Sequence, residues 1–126
     1  MTPRLAPLVA CAGLLAAAQE AAARQAFSVS MVECAVILDE FARLGDRRGK
    51  DVEEVARLHA RASAFLQRSL TQAANEGQPD PHAHVEATLA EKRAKWDGRL
   101  SRLTLLTENR DWFDYCRAFG RDQGIE

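Results

Sequence analysis

Residues 30–45, SMVECAVILDEFARLG, decide the fold because they have the pattern of one amphipathic helix with a marked start and end. Ser30 and Glu33 stand at the spacing of a capping box, in which each side chain accepts a hydrogen bond from the other residue's free backbone N–H group. Gly45 can end the helix in a left-handed turn. The pattern therefore predicts a helix over residues 30–44, with one apolar face formed by Cys34, Ile37, Leu38, Phe41 and Leu44.

Two further helices follow the same period. Asp51 is a good N-cap residue and predicts a second helix over residues 51–75. Asp80 and Pro81 mark the next start, because proline at the first helical position gives up an N–H group that would have no partner there. They predict a third helix over residues 81–106.

The last predicted helix, residues 109–119, is rich in aromatic side chains. Gly120 is its predicted end, and we expect residues 121–126 to fray. Most of the aromatic residues of this helix fall on one side of a helical wheel, together with Cys116. We predict that the following aromatic side chains lie in the core: Phe41, Phe65, Trp96, Trp112, Tyr115 and Phe119.

The N-terminus has the order of features of a secretory signal peptide. Arg4 precedes a short apolar run, residues 5–18, and the small residues Ala21 to Ala23 follow it. A helix that spans the hydrocarbon core needs about 20 apolar residues, so the run is too short for a stable membrane span. We predict a signal peptide over residues 1–23, cleavage near Ala23, and a single exported domain over residues 24–126.

Two alternatives to a cleaved leader stay open. The LVAC stretch that ends at Cys11 fits the pattern before a lipid-modified cysteine, although the apolar run continues beyond it. An uncleaved N-terminal anchor would place Glu20 and Arg24 in lipid, at a few kcal/mol each. The basic residues are mostly Arg and alanine is abundant, which is typical of a GC-rich bacterial genome, so we predict a periplasmic or secreted location.

The predicted leader removes Cys11 and leaves one pair of cysteines, Cys34 and Cys116. A pair in an exported domain is expected to form a disulfide. In the chain-entropy model, closing a loop of this size stabilises the fold by about 4.5 kcal/mol. Two buried free thiols and a redox-active pair are the alternatives, although the chain has no C-x-x-C motif.

Together these features predict an all-α fold. The architecture is a small bundle of three long helices plus a short C-terminal helix, stapled by one disulfide between Cys34 and Cys116. A chain of this length can build one hydrophobic core and not two.

The sequence contains none of the common catalytic motifs, such as G-x-S-x-G or H-E-x-x-H. His82 and His84 lie about 200° apart on a helix and cannot share a metal, and His59 stands alone. We therefore predict a protein that is not an enzyme, with no catalytic residue, metal or cofactor. A net charge of −1 argues against nucleic acid as a partner.

Protein binding is the leading prediction. Arg110 and Arg117 bracket the terminal aromatic group, and Phe113 lies outside its main face. Arg and aromatic residues are enriched where partners dock. We predict that these three residues bind another envelope protein or a second copy of the chain, with the protein acting as an accessory subunit or envelope factor.

Two other functions fit the same features. Small exported helical proteins with one disulfide include acid-activated chaperones, so an acid- or stress-activated periplasmic chaperone is the first alternative. The second is a carrier of a small apolar ligand, with Trp96 and Trp112 lining a cavity between helices.

Overall fold

The computed structural model describes residues 25–99 and 106–125, so the predicted signal peptide and Cys11 lie outside the described residues. Four helices make up the described chain: α1 (Phe27–Arg47), α2 (Val52–Asn75), α3 (Pro81–Trp96) and α4 (Leu106–Asp122). These ranges contain no β-strand. The predicted all-α bundle of three long helices plus a C-terminal helix is confirmed.

Helix α1 lies at the centre of the bundle and packs against each of the other three helices. Residues 30–38 are all buried, so α1 is enclosed on every side over this stretch rather than on one face. The Cys34–Cys116 disulfide joins α1 to α4 with a Cα–Cα distance of 5.4 Å, which confirms the predicted bridge. Both cysteines are buried, so the bridge belongs to the core.

The start of α1 differs from the sequence prediction. The helix begins at Phe27, and Ser30 and Glu33 do not form a capping box, because the Glu33 side chain turns into the core. Ala26 occupies the N-cap position and has no side-chain oxygen to offer. A carboxylate from the end of α2 takes that role: Glu76 accepts a hydrogen bond from the Ser28 N–H group at 3.2 Å.

The other helix starts agree with the sequence. The Asp51 carboxylate accepts a hydrogen bond from the Glu53 N–H group at 2.7 Å, and Asp80 accepts one from Ala83 at 3.0 Å. Each carboxylate thereby satisfies a backbone donor that has no partner within its own helix.

Gly45 does not end α1, which continues to Arg47. The left-handed residue is Gly49, with φ +70°, and the Lys50 N–H group then donates to the Gly45 carbonyl at 2.9 Å. This closing pattern is a Schellman motif, in which the glycine stands after the helix and not inside it. The predicted position of the stop was therefore wrong by one helical turn.

Gly120 is likewise not the end of α4, and residues 121–125 do not fray. The helix continues to Asp122, Gly124 takes φ +70°, and Ile125 is buried. Gly120 suits close packing instead, because a Cβ atom there would lie only 3.2 Å from the Ile125 carbonyl oxygen. Ile125 thus adds an apolar side chain to the core.

Helix α3 ends at Trp96, ten residues before its predicted end, because Asp97 leaves helical geometry and Gly98 has φ +66°. Helix α4 begins at Leu106 rather than Asn109. No helix in the described ranges is long and apolar enough to cross a membrane.

Candidate functional site

The predicted core aromatic residues occupy two kinds of environment. Phe65, Trp96, Trp112 and Phe119 are buried, while Phe41 and Tyr115 are partly buried against the same cluster. The Trp96 and Trp112 rings pack edge to face with centroids 5.9 Å apart. These two side chains, which the ligand-carrier alternative places beside a cavity, thus contact each other in the core.

Phe113 lies on a different flank of α4. It is partly buried, and its ring centroid lies 4.6 Å from that of Phe41 on α1. Two adjoining surface depressions of about 350 and 380 Å³ share Phe113, Leu58 and Glu54. We call this continuous surface the Phe113 groove; its apolar lining is Phe41, Leu44, Val55, Leu58 and Phe113, and its charged rim is Arg48, Lys50, Glu54, Arg57, Arg61 and Arg117.

The rim of the Phe113 groove is strongly basic. The Arg117 guanidinium lies 6.0 Å from the centroid of the Phe113 ring, within the range of a cation–π contact. Within the described residues, neither Arg61 nor Arg117 has a carboxylate oxygen within 4 Å, whereas Arg57 lies 4.0 Å from Glu53. Phe113 and Arg117 therefore share one groove, while the exposed Arg110 does not line it.

A second groove lies on the opposite flank of α4, and the sequence reasoning missed it. It measures about 450 Å³, and we call it the Phe27 groove. Its lining residues are Phe27, Asp111, Asp114, Tyr115, Ala118, Phe119, Asp122 and Gln123. Phe27 was overlooked because the first helix was expected to begin after it, at Ser30.

The most unusual side chain in the bundle is Glu33, which is fully buried in α1. Lys92 Nζ lies 3.3 Å from Glu33 Oε2, Lys95 Nζ donates to Oε1, and the Trp96 indole N–H donates to Oε1 at 2.9 Å. Gln25 Nε2 donates to Oε2 at 2.9 Å. Every partner except Gln25 comes from α3, so this carboxylate ties α1 to α3.

The Glu33 pKa reflects two opposing effects. Burial raises it, but hydrogen bonds from Lys95, Gln25 and Trp96 favour the charged form and bring the pKa below its usual 4.5. Lys92 is also buried, so the two charges require each other. Sequence reasoning assigned Glu33 to a capping box, and only the packing of α3 reveals its partners.

Ser28, Glu76 and His84 form a second polar cluster. The Ser28 hydroxyl donates to Glu76 Oε1, and His84 Nε2 lies 3.2 Å from Ser28 Oγ. Because the hydroxyl hydrogen is given to Glu76, His84 can approach Ser28 only as a donor. Ser28 is fully buried, so the cluster caps the start of α1 and does not expose the Ser28 hydroxyl as a nucleophile.

The Glu76 cap predicts a measurable loss of stability. We expect Glu76→Ala to lower the free energy of unfolding by about 1 kcal/mol, because the first turn of α1 loses the acceptor for its Ser28 N–H group. Urea unfolding followed by circular dichroism measures the change. Glu86→Ala, an exposed change on α3, is the matched control and should stay within about 0.5 kcal/mol of the parent. Equal losses in both variants would contradict the cap.

Glu33 and Glu76 also predict that acid destabilises the protein. Burial raises the Glu76 pKa, but hydrogen bonds from Ser28 and Gln72 outweigh it and leave the pKa below 4.5, as in Glu33. A carboxylate whose folded-state pKa is depressed contributes stability above its unfolded pKa and loses it as the pH falls. We expect the urea concentration at the unfolding midpoint to decrease as the pH falls below about 4.5. Glu76→Gln should flatten this dependence, and a midpoint that stayed constant down to about pH 3 would contradict it.

The histidines lie at separate places in the described chain. His59 Nδ1 lies 2.9 Å from Asp39 Oδ1, His84 contacts Ser28, and His82 is exposed. No group of three or more His, Cys, Asp or Glu side chains able to hold a metal occurs in residues 25–99 and 109–125.

Comparison with protein-family models, with curated proteins and with solved structures finds no match.

Proposed function

We propose that this is an exported, non-enzymatic helical protein that binds a partner protein through the Phe113 groove. One observation carries the proposal: Phe113 lies partly exposed in an apolar groove beside Arg61 and Arg117, which have no carboxylate partner in the described chain. Aromatic residues and Arg are enriched at protein interfaces, and Arg is among the residues enriched at hot spots. The basic rim fits an acidic segment with apolar side chains on the partner.

The proposed location is the periplasm or the exterior of the cell. The N-terminal pattern of residues 1–23 supports export, and a buried disulfide suits an oxidising compartment. Mass spectrometry of the exported protein tests both points. We expect a chain that starts at Arg24 and lacks the two hydrogens lost in the bridge, whereas an acyl group on Cys11 would contradict cleavage near Ala23.

A photo-crosslinking amino acid tests the proposed groove in the cell. Placed at position 113, it should capture a partner protein, while the same group at exposed position 86 on α3 should not. The charge reversals Arg61→Glu and Arg117→Glu should weaken the captured complex by about thirtyfold, the effect of a hot-spot residue. A crosslink to a second copy of the chain would assign the groove to self-association. Equal capture from both positions, or none from position 113, would contradict the proposal.

An acid- or stress-activated chaperone is the second candidate function. The observation in its favour is the buried ion pair of Glu33 with Lys92, because protonating Glu33 would remove the charge that pairs with a cation buried in the core. We expect mild acid to expose apolar surface to a fluorescent dye while the disulfide stays intact, and the opened protein to keep an unfolding client soluble. Dye binding that does not change down to about pH 3 would contradict this candidate.

A further inference from the structure

We propose that the Phe27 groove binds a basic amphipathic helix of a second partner protein. This site lies on the flank of α4 opposite the Phe113 groove and carries the opposite charge. The proposal does not depend on the function proposed for the Phe113 groove, because the two grooves share no lining residue.

The floor of the groove is apolar and one of its rings is unusually accessible. Phe27 is 59 % exposed, and its ring lies 6.0 Å from that of Phe119, which in turn lies 5.6 Å from Tyr115. Burial raises the Tyr115 pKa, so the phenol stays neutral in the range where carboxylates are charged. A row of three aromatic rings thus offers a docking face for apolar side chains.

The rim of the groove is acidic. Asp111, Asp114 and Asp122 line it, and no Lys or Arg does so among its described residues. None of the three carboxylates has a cation within 4 Å in the described chain. Unpaired carboxylates around an apolar floor favour a ligand that has both positive charges and apolar side chains.

The spacing of the carboxylates indicates an elongated ligand. Asp111 and Asp122 lie on the same side of α4, eleven residues apart, which corresponds to about 16 Å along the helix. Asp114 lies between them along the axis. A helix of about three turns with Lys or Arg beside an apolar stripe can contact the three carboxylates and the aromatic floor together.

A second copy of the chain is the competing occupant, because its Phe113 groove is basic. That pairing would join two different surfaces of the same molecule, and such contacts continue into open chains unless the rotation closes a ring. A different protein that supplies the basic helix offers the same positive charges and apolar side chains to the groove without forming a polymer.

The direct test uses a defined probe, a labelled Lys/Leu amphipathic peptide of about eighteen residues, long enough to form a helix. Fluorescence anisotropy measures its binding to the exported protein. The site variant is D111N/D114N/D122N, and the matched control is D46N/E86Q/D97N, three exposed positions outside both grooves. Both triple variants remove three negative charges, so they separate a local contact from general attraction. Phe27→Ser removes the ring that is most exposed in the groove.

We expect the site variant and Phe27→Ser each to weaken peptide binding by about tenfold or more, and the control by less than about twofold. The same peptide with every Lys changed to Glu should not bind. Equal losses in the two triple variants, equal binding of the Glu peptide, or no binding at about 1 mM would overturn the proposal. Sedimentation of the protein alone tests the competing occupant: association that the site variant abolishes would assign the groove to a second copy and also overturn the proposal.

Discussion

Replacing Glu33 with alanine is expected to lower the free energy of unfolding by about 3–5 kcal/mol, which is the typical cost of breaking a buried ion pair from one side. The change leaves the buried Lys92 with the exposed Glu91 carboxylate, 3.9 Å away, in place of Glu33, and it removes the acceptor of the Trp96 indole N–H group. Urea unfolding followed by tryptophan fluorescence measures the loss. Because a small domain is stable by only about 5–15 kcal/mol, the variant should unfold well below the parent midpoint.

Two further variants test whether the loss comes from the unpaired charge. Glu40→Ala, on the same helix, removes an ion pair of 3.1 Å with the exposed Arg43 and should cost less than about 1 kcal/mol. The double variant Glu33→Met/Lys92→Met removes both buried charges and should recover much of the stability, because well-packed apolar pairs often replace buried ion pairs without loss. A double variant less stable than Glu33→Ala would contradict the charge explanation.

Removing the disulfide is expected to cost about 4.5 kcal/mol, from the entropy that an 82-residue separation restores to the unfolded chain. Cys34→Ala/Cys116→Ala tests this without a reductant and leaves no free thiol in the described residues. Both cysteines are buried, so a reductant such as dithiothreitol should reach the bridge of the native protein only when α4 separates from α1.

Chemical reduction of the parent protein and of the double alanine variant is the control for the disulfide prediction. Dithiothreitol should shift the urea midpoint of the parent protein toward that of the double alanine variant and should leave the variant unchanged. A parent protein whose midpoint did not respond to complete reduction would show that the bridge adds little to stability.

Helix capping and hydrophobic periodicity predicted the helical architecture because both depend on residues within one or two helical turns of each other. Asp51, Asp80 and Pro81 are found at the helix starts that their chemistry favours. The helix ends were predicted at Gly45 and Gly120. The glycines that take left-handed geometry, Gly49 and Gly124, each lie four positions further along the chain. Helix period alone does not distinguish them.

The candidate sites depend on contacts that are distant in sequence, and sequence reasoning found only part of them. Phe113 and Arg117 share a groove as neighbours on one helix, but its other wall comes from α1 and α2. Glu33 satisfied the spacing of a capping box, and its partners on α3, which lie 59 to 63 positions away, gave no local signal. The acidic flank of α4 was visible in the sequence, but without Phe27 beside it there was no groove to recognise.

The Glu76 cap has a consequence for the order in which the chain is completed. Synthesis proceeds from the N-terminus, and the acceptor for the first turn of α1 is supplied by a residue 48 positions later. Until all of α2 has emerged, the beginning of α1 has a donor at Ser28 without its carboxylate. The first helix of the described chain is therefore not the first that can be finished, and a nascent chain that ends before Glu76 should show a frayed start to α1.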